Sequence, residues 1–242
     1  MVLMLNKMNV GVDGFLNSWC VCTISTENQI NISTYSNIEK LMRANSPKSK
    51  IFIDIPIGLS SNSIERKIDQ KLRDILPKGK KSSVFTAPCR EAVRANNYIK
   101  AKELNCKIVS RSISIQSWNI SNKIKEVDDF LIGNKKKQFN LHESHPELCF
   151  VNLNDGISLK NNKKTKEGIS ERIIILNKYI EDSEDILEKN YHCYKKEKIK
   201  RDDILDSICL ALSVKKWKQN GSKKITQIPE YDDEGLPFEI YY

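Results

Sequence analysis

The chain opens on strand-like patterning. Asn9 to Phe15 (NVGVDGF) is apolar after Asn9 except for one aspartate, and Gly14 with Asn17 marks a turn after it. Trp19 to Ile24 reads as the returning strand and Gln29 to Tyr35 as a third, which makes a meander. Cys20 and Cys22 are two apart and share one face, where core filling explains them better than metal binding. Ser36, with Glu39 three residues later, fits a capping box and predicts a short helix through Met42. Lys50 to Ile55 then places Ile51, Phe52 and Ile53 before Asp54. Such a short apolar run suits a central strand covered on both faces, and Pro56 and Gly58 stop it.

From 59 to 138 the rhythm becomes helical. A charged stretch (Ile64 to Ile75), a loop (Pro77 to Pro88), a helix (Arg90 to Leu104) and a helix near Trp118 to Leu131 follow one another. In the last, Ile120, Ile124, Val127 and Leu131 recur on one helical face. Strand patterning resumes at Phe139 to His142 and runs into Glu143. Pro146 suits the first position of a helix to about Leu153. Thr165 or Lys166 starts a longer helix, and Asp202 to Lys218 reads as an amphipathic one. Lys223 to Pro229 suggests an edge strand. The expected organisation is an α/β core of residues 8–58 and 139–228, a helical insertion at 59–138 within it, and a tail at 229–242.

Composition narrows the class. The 242 residues are 39% hydrophobic and carry a formal charge of +9. The excess of lysine and arginine favours polyanions such as nucleic acid, but a solvated surface explains it equally well. The denser basic runs are Lys78 to Lys81, Lys135 to Lys137, Lys160 to Lys166 and Lys195 to Arg201. No stretch has the ~18 uncharged apolar residues of a membrane span, and Met1 to Asn9 lacks a signal-peptide pattern. Seven cysteines, with no Cys-x-x-Cys, argue against a disulfide scaffold or a zinc ribbon. A cytoplasmic setting, with no membrane partner, is the expectation.

The chemistry lies in the acids. Asp13 interrupts a buried strand, Asp54 ends another, and Glu143 ends a third; Asp202, Asp203 and Asp206 open the last helix. A buried carboxylate is costly unless it is hydrogen-bonded, paired or bound to metal. Turn amides can satisfy Asp13 and Asp54, and the helix dipole favours Asp202 and Asp203. Asp206 lies deeper in the helix, where the dipole explains it less well. Carboxylates converging at one sheet edge suit Mg²⁺ or Mn²⁺, which prefer oxygen ligands, and such ions can activate water against a phosphodiester.

This order of parts resembles the RNase H-like fold, a mixed sheet of a three-strand meander plus parallel strands flanked by helices. Asp203-Ile-Leu-Asp206-Ser-Ile-Cys-Leu-Ala is similar to the last-helix motif of Holliday-junction resolvases. The closer resemblance, from Val10 to about Trp217, is to domain-of-unknown-function family 429, described as predicted nucleases. It is carried by Val12-Asp13-Gly14, Asp54-Ile-Pro-Ile-Gly58, Ser82 to Arg90, Gln116-Ser-Trp118, Lys123 to Asp128, His142 to Glu147, Lys163 to Gly168 and Asp202 to Asp206. Phe15-Leu-Asn-Ser-Trp19 stands where members typically carry Gly-Gly-Trp. The resemblance implies a metal-dependent nuclease, with Asp13, Asp54 or Glu143, and Asp203 with Asp206 as Mg²⁺ or Mn²⁺ ligands, Asp13 bridging.

Other residues are candidates around that centre. His145 is either a proton donor beside Glu143 or a structural hydrogen bonder. Arg90 suits bidentate binding of a phosphate, flanked by Ser82 and Ser83. Gln116 and Trp118 suit a base, although Trp more often fills a core. Lys123, Lys163 and Lys164 suit a nucleic-acid backbone or simple solvation. Two further functions compete: a phosphotransferase of the actin-like and sugar-kinase group, and a non-catalytic nucleic-acid-binding protein on the same scaffold. The first is disfavoured by only nine glycines and by extra acids on the last helix.

Overall fold

The computed structural model describes residues 7–62, 64–135, 139–221 and 223–242. The N-terminal stretch before Lys7, and Lys136 and Lys137 of one basic run, lie outside the described residues. The chain forms two compact units. One comprises Met1–Asp54, Phe139–Lys223 and Tyr241–Tyr242; the other comprises Ile55–Gln138 and Lys224–Ile240.

The first unit is built on a five-stranded sheet: β1 (Asn9–Phe15), β2 (Ser18–Ile24), β3 (Ile30–Tyr35), β4 (Lys50–Ile53) and β5 (Leu141–Glu143). Their order is β3-β2-β1-β4-β5. β1, β2 and β3 pair antiparallel, while β1 with β4 and β4 with β5 pair parallel. This is the mixed RNase H-like sheet, and it is flanked by helices. The short α1 (Ile38–Ala44) lies between β3 and β4. Its cap is Asn37, whose Oδ1 accepts from the Lys40 amide at 2.9 Å, so the expected Ser36 cap is displaced by one residue. An Asx side chain reaches the third amide as well as serine does.

The second unit holds α2 (Ile68–Ile75), α3 (Arg90–Val93), α4 (Tyr98–Val109), α5 (Ile115–Asn119) and α6 (Ser121–Gly133). Two expected helices are each broken in two. Arg94 and its successors interrupt the first, and Asn97 starts α4 with a side-chain cap on the Lys100 amide. Ser114 caps α5 on the Ser117 amide. The stretch 224–228 forms no strand; an isolated bridge joins Tyr231 to Pro237.

The remaining helices belong to the first unit: α7 (Pro146–Leu153), α8 (Lys166–Leu176), α9 (Ser183–Tyr194) and α10 (Arg201–Asn220). Helix α9 has no counterpart among the sequence expectations. Its apolar positions are sparse, with only Leu187 and Ser183 buried. Helix α10 packs against β1 and β2 and also against α7, α8 and α9. That sandwiching explains why Leu210, Ala211 and Val214 are buried along with Ile204, Leu205, Ile208, Cys209 and Leu212. The approach to β1 is backbone-close. A Cβ on Gly11 would stand 2.1 Å from the Ser207 carbonyl oxygen and 2.3 Å from the Ala211 nitrogen. Glycine in this strand therefore seats the helix that carries the acids.

Arg172 of α8 is completely buried, and its guanidinium pairs with Glu147 in the first turn of α7 and donates to the Gly168 carbonyl. Glu147 is thus an ion-pair partner as well as a favourable charge at a helix start. All seven cysteines are free. Among the described residues no helix is long and apolar enough to cross a membrane.

Candidate functional site

Strand register decides which acids meet. Val12 pairs with Ile53, and Ile53 with Glu143. Asp13 and Asp54 are the next row, at the carboxyl ends of two adjacent parallel strands. Side chains alternate, so Asp13 and Asp54 share the face of Gly11 and Phe52, the face on which α10 lies. Glu143 belongs to the row of Val12 and Ile53 and so is assigned to the opposite face. It is buried, and close enough that its charge helps raise the Asp54 pKa.

Helix α10 brings Asp202, Asp203 and Asp206 to the same end. Asp206 is 1% exposed, against 7% for Asp202. Asp203 caps its own helix, accepting the Lys200 amide at 2.8 Å. Asp13 Oδ1 accepts the Gly14 amide at 2.8 Å, so the turn-amide expectation accounts for one of its oxygens. Asp54 is fixed through its backbone, its amide donating to the Val12 carbonyl at 3.0 Å.

Lys163, from the loop before α8, enters the group. Its Nζ donates to Asp206 Oδ2 at 2.6 Å and lies 3.8 Å from Asp202 Oδ2. The loop is held by Thr165, whose Oγ1 caps the Gly168 amide at 3.1 Å and donates to the Asn162 carbonyl at 3.0 Å.

The acids perturb one another. Burial pushes the Asp13 carboxyl well above the ordinary range, and Asp206, Asp54 and Asp203 push it further while Lys163 opposes them. Burial raises Asp54 to about 7, with Lys163 lowering it and Asp206, Glu143 and Glu147 raising it. Burial likewise raises Asp203 to about 6, with Asp202 and Asp206 adding to it against the Lys200 amide and Lys163. The cause is physical: several carboxylates share one partly dry place with Lys163. The surplus of negative charge and the all-oxygen donor set suit a hard divalent cation. As placed, however, no three His, Cys, Asp or Glu side chains among the described residues form a cage for a metal ion. In this arrangement the Lys163 ammonium supplies the positive charge.

Residues 11–233 match the family model described as protein of unknown function, DUF429. The chain belongs to the DUF429 family. No curated protein and no solved structure matches it.

The second unit of this DUF429 protein receives most of the other candidates. Arg90 is committed to carboxylates: its Nε and Nη2 take both oxygens of Asp128 at 3.1 and 3.0 Å, and Nη2 reaches Asp232 at 2.5 Å. Arg94 also bonds Asp128, at 2.6 Å. The fork geometry expected for a phosphate is therefore spent on a structural network. Asp232 lies in the stretch expected as a tail, yet it is buried and its oxygens also accept the amides of Leu59, Glu234 and Leu236. Sequence reasoning missed this partner, although Arg90 and Asp128 both fall in the segments that carry the family resemblance.

Ser83 donates its hydroxyl to the Lys80 carbonyl at 2.6 Å, a turn bond. Trp118 packs its ring 6.3 Å from that of Tyr98, beside Cys89, Ala92, Ala101 and Ile113, so it fills a small core. Lys123 is buried on α6. Gln116 is exposed and lines a cavity with Ser82. In the first unit, Lys164 is exposed beside Lys163. His145 starts α7, its carbonyl accepting the Leu148 and Cys149 amides at 3.1 and 3.0 Å.

Proposed function

We propose that this protein is a metal-dependent phosphodiester hydrolase acting on nucleic acid. The observation that carries the reading is the gathering of Asp13, Asp54 and Asp203 around Asp206, whose charge helps raise the carboxyls of all three. A purely structural buried acid is expected to have its oxygens hydrogen-bonded or paired. Here the acids exceed the lysine that compensates them.

Asp13, Asp54, Asp203 and Asp206 would hold Mg²⁺ or Mn²⁺. The bound ion would supply positive charge to the phosphate and acidity to a water. Asp13 is central because its strand lies inside the sheet, between β2 and β4. The Asp54 carboxylate accepts no side-chain hydrogen bond among the described residues, so whichever of its oxygens is not on the ion would be available to take the proton of an attacking water. Lys163 Nζ sits within reach of the same place and would neutralise a phosphate oxygen once the acids have another cation. Glu143 stands behind the cluster and acts on it through Asp54.

The test is cleavage of labelled single- and double-stranded DNA and RNA by the full chain with millimolar Mg²⁺ or Mn²⁺. The account expects metal-dependent cleavage of at least one substrate, abolished by Asp13→Asn with binding retained. Binding without cleavage under every metal would favour the non-catalytic scaffold instead.

A further inference from the structure

The second unit contains a cavity of about 340 Å³, at the lower end of the size of small-molecule sites. Its lining is unusual in chemistry. Arg66, Arg73 and Arg111 border it with only one acid, Glu65. Two of the three arginines have carboxylate partners: Arg66 pairs with Asp69 at 2.8 Å and Arg111 with Glu65 at 2.7 Å. Arg73 does not. Its Nη2 donates to the Val84 carbonyl at 2.9 Å and to Thr86 Oγ1 at 2.7 Å, both neutral acceptors. Among the described residues it has no ion pair, and its Nε and Nη1 hydrogens remain for a ligand.

The rest of the lining divides in two. Ser82, whose hydroxyl makes no hydrogen bond among the described residues, and Ser112 add hydroxyls. Phe85, 39% exposed, and Gln116 supply an aromatic face and a carboxamide. The Gln116 side chain likewise has no hydrogen bond among the described residues. A guanidinium with hydroxyls suits a phosphate, and an aromatic ring with a free amide suits a heterocyclic base.

We propose that this cavity binds a nucleoside monophosphate, its phosphate on Arg73 and its base against Phe85 and Gln116. The proposal does not rest on the hydrolase reading, because none of the acids of the sheet edge lines the cavity. It assigns the insertion a ligand site of its own.

The test is calorimetric titration of the four ribonucleoside monophosphates, adenosine, ribose 5-phosphate and inorganic phosphate into the full chain. At least one monophosphate should bind saturably and more tightly than adenosine or inorganic phosphate. Arg73→Met should weaken it about tenfold or more, the usual worth of a charge-assisted hydrogen bond. Arg73 also holds its loop, so Phe85→Ala is the second variant: it should weaken the nucleotide and leave ribose 5-phosphate unchanged. Asp13→Asn should bind like the wild type, which separates this site from the sheet-edge acids. The proposal is overturned if no monophosphate binds at millimolar concentration, if inorganic phosphate binds as tightly, or if Phe85→Ala binds the nucleotide like the wild type.

Discussion

Replacing Lys163 with methionine tests the electrostatics of the sheet edge. The ammonium lies 2.6 Å from Asp206, which is 1% exposed, and 3.8 Å from Asp202. Removing one partner of a fully buried pair costs about 3–5 kcal/mol, because the other charge stays buried. The Lys163 side chain is 34% exposed, so water already screens part of the interaction. We therefore expect a loss of about 2–3 kcal/mol when the acids are ionised. Lys163 also lowers the pKa values of Asp13, Asp54 and Asp203, so its removal raises them further. A carboxyl raised in the folded state keeps its proton there while the unfolded chain releases it. Its stabilising contribution is full at low pH and fades as pH climbs through the folded pKa. The deficit of Lys163→Met should thus be smaller near pH 5 than near pH 8, where Asp54 and Asp203 are charged as well. Urea unfolding in chelator, followed by tryptophan fluorescence, measures both. A deficit below about 0.5 kcal/mol near pH 8, or the same deficit at both pH values, would refute the reasoning.

Much of the first unit was legible because its signals are local and periodic. The strands from Asn9 to Tyr35, the Lys50 to Ile53 run, the Pro146 helix start and the Thr165 cap each fall within a residue or two of their expected places. The sequence also pointed to the acids. What it lacked was register: Glu143 and Asp54 end neighbouring strands, and only the Ile53–Glu143 pairing assigns Glu143 to the other face. Long-range partners were equally hidden. Nothing local in Arg90 announces that Asp128 and Asp232 will bind it, and nothing in Lys163 announces Asp206. The Trp118 alternatives were separated only by Tyr98 and its apolar neighbours. Helix α9 escaped because its apolar residues are few and most of its positions are polar or charged, so it carries little apolar periodicity.

Three further outcomes follow from the packing and charge described above. Gly11→Ala should cost more than about 3 kcal/mol or prevent folding, since its methyl would meet the Ser207 and Ala211 backbone; urea midpoints and folded yield measure this. Arg90→Met should destabilise by about 3 kcal/mol, because Asp128 and Asp232 lose their shared cation, and a chemical melt matching wild type would contradict the network. In chelator, the wild-type melting temperature should fall as pH rises from the ordinary carboxylate range through about 6 and about 7, the values of Asp203 and Asp54. Asp13→Asn should flatten that slope, since its neutral amide removes one buried titration and relieves its neighbours; an unchanged slope would count against the coupling.

The most direct test of the central claim is calorimetric titration of Mn²⁺ and Mg²⁺ into wild type and Asp13→Asn, without substrate. The account predicts saturable binding by wild type that Asp13→Asn loses while remaining folded. Binding of equal strength by both proteins, or by neither at millimolar metal, would contradict a cation site built on Asp13.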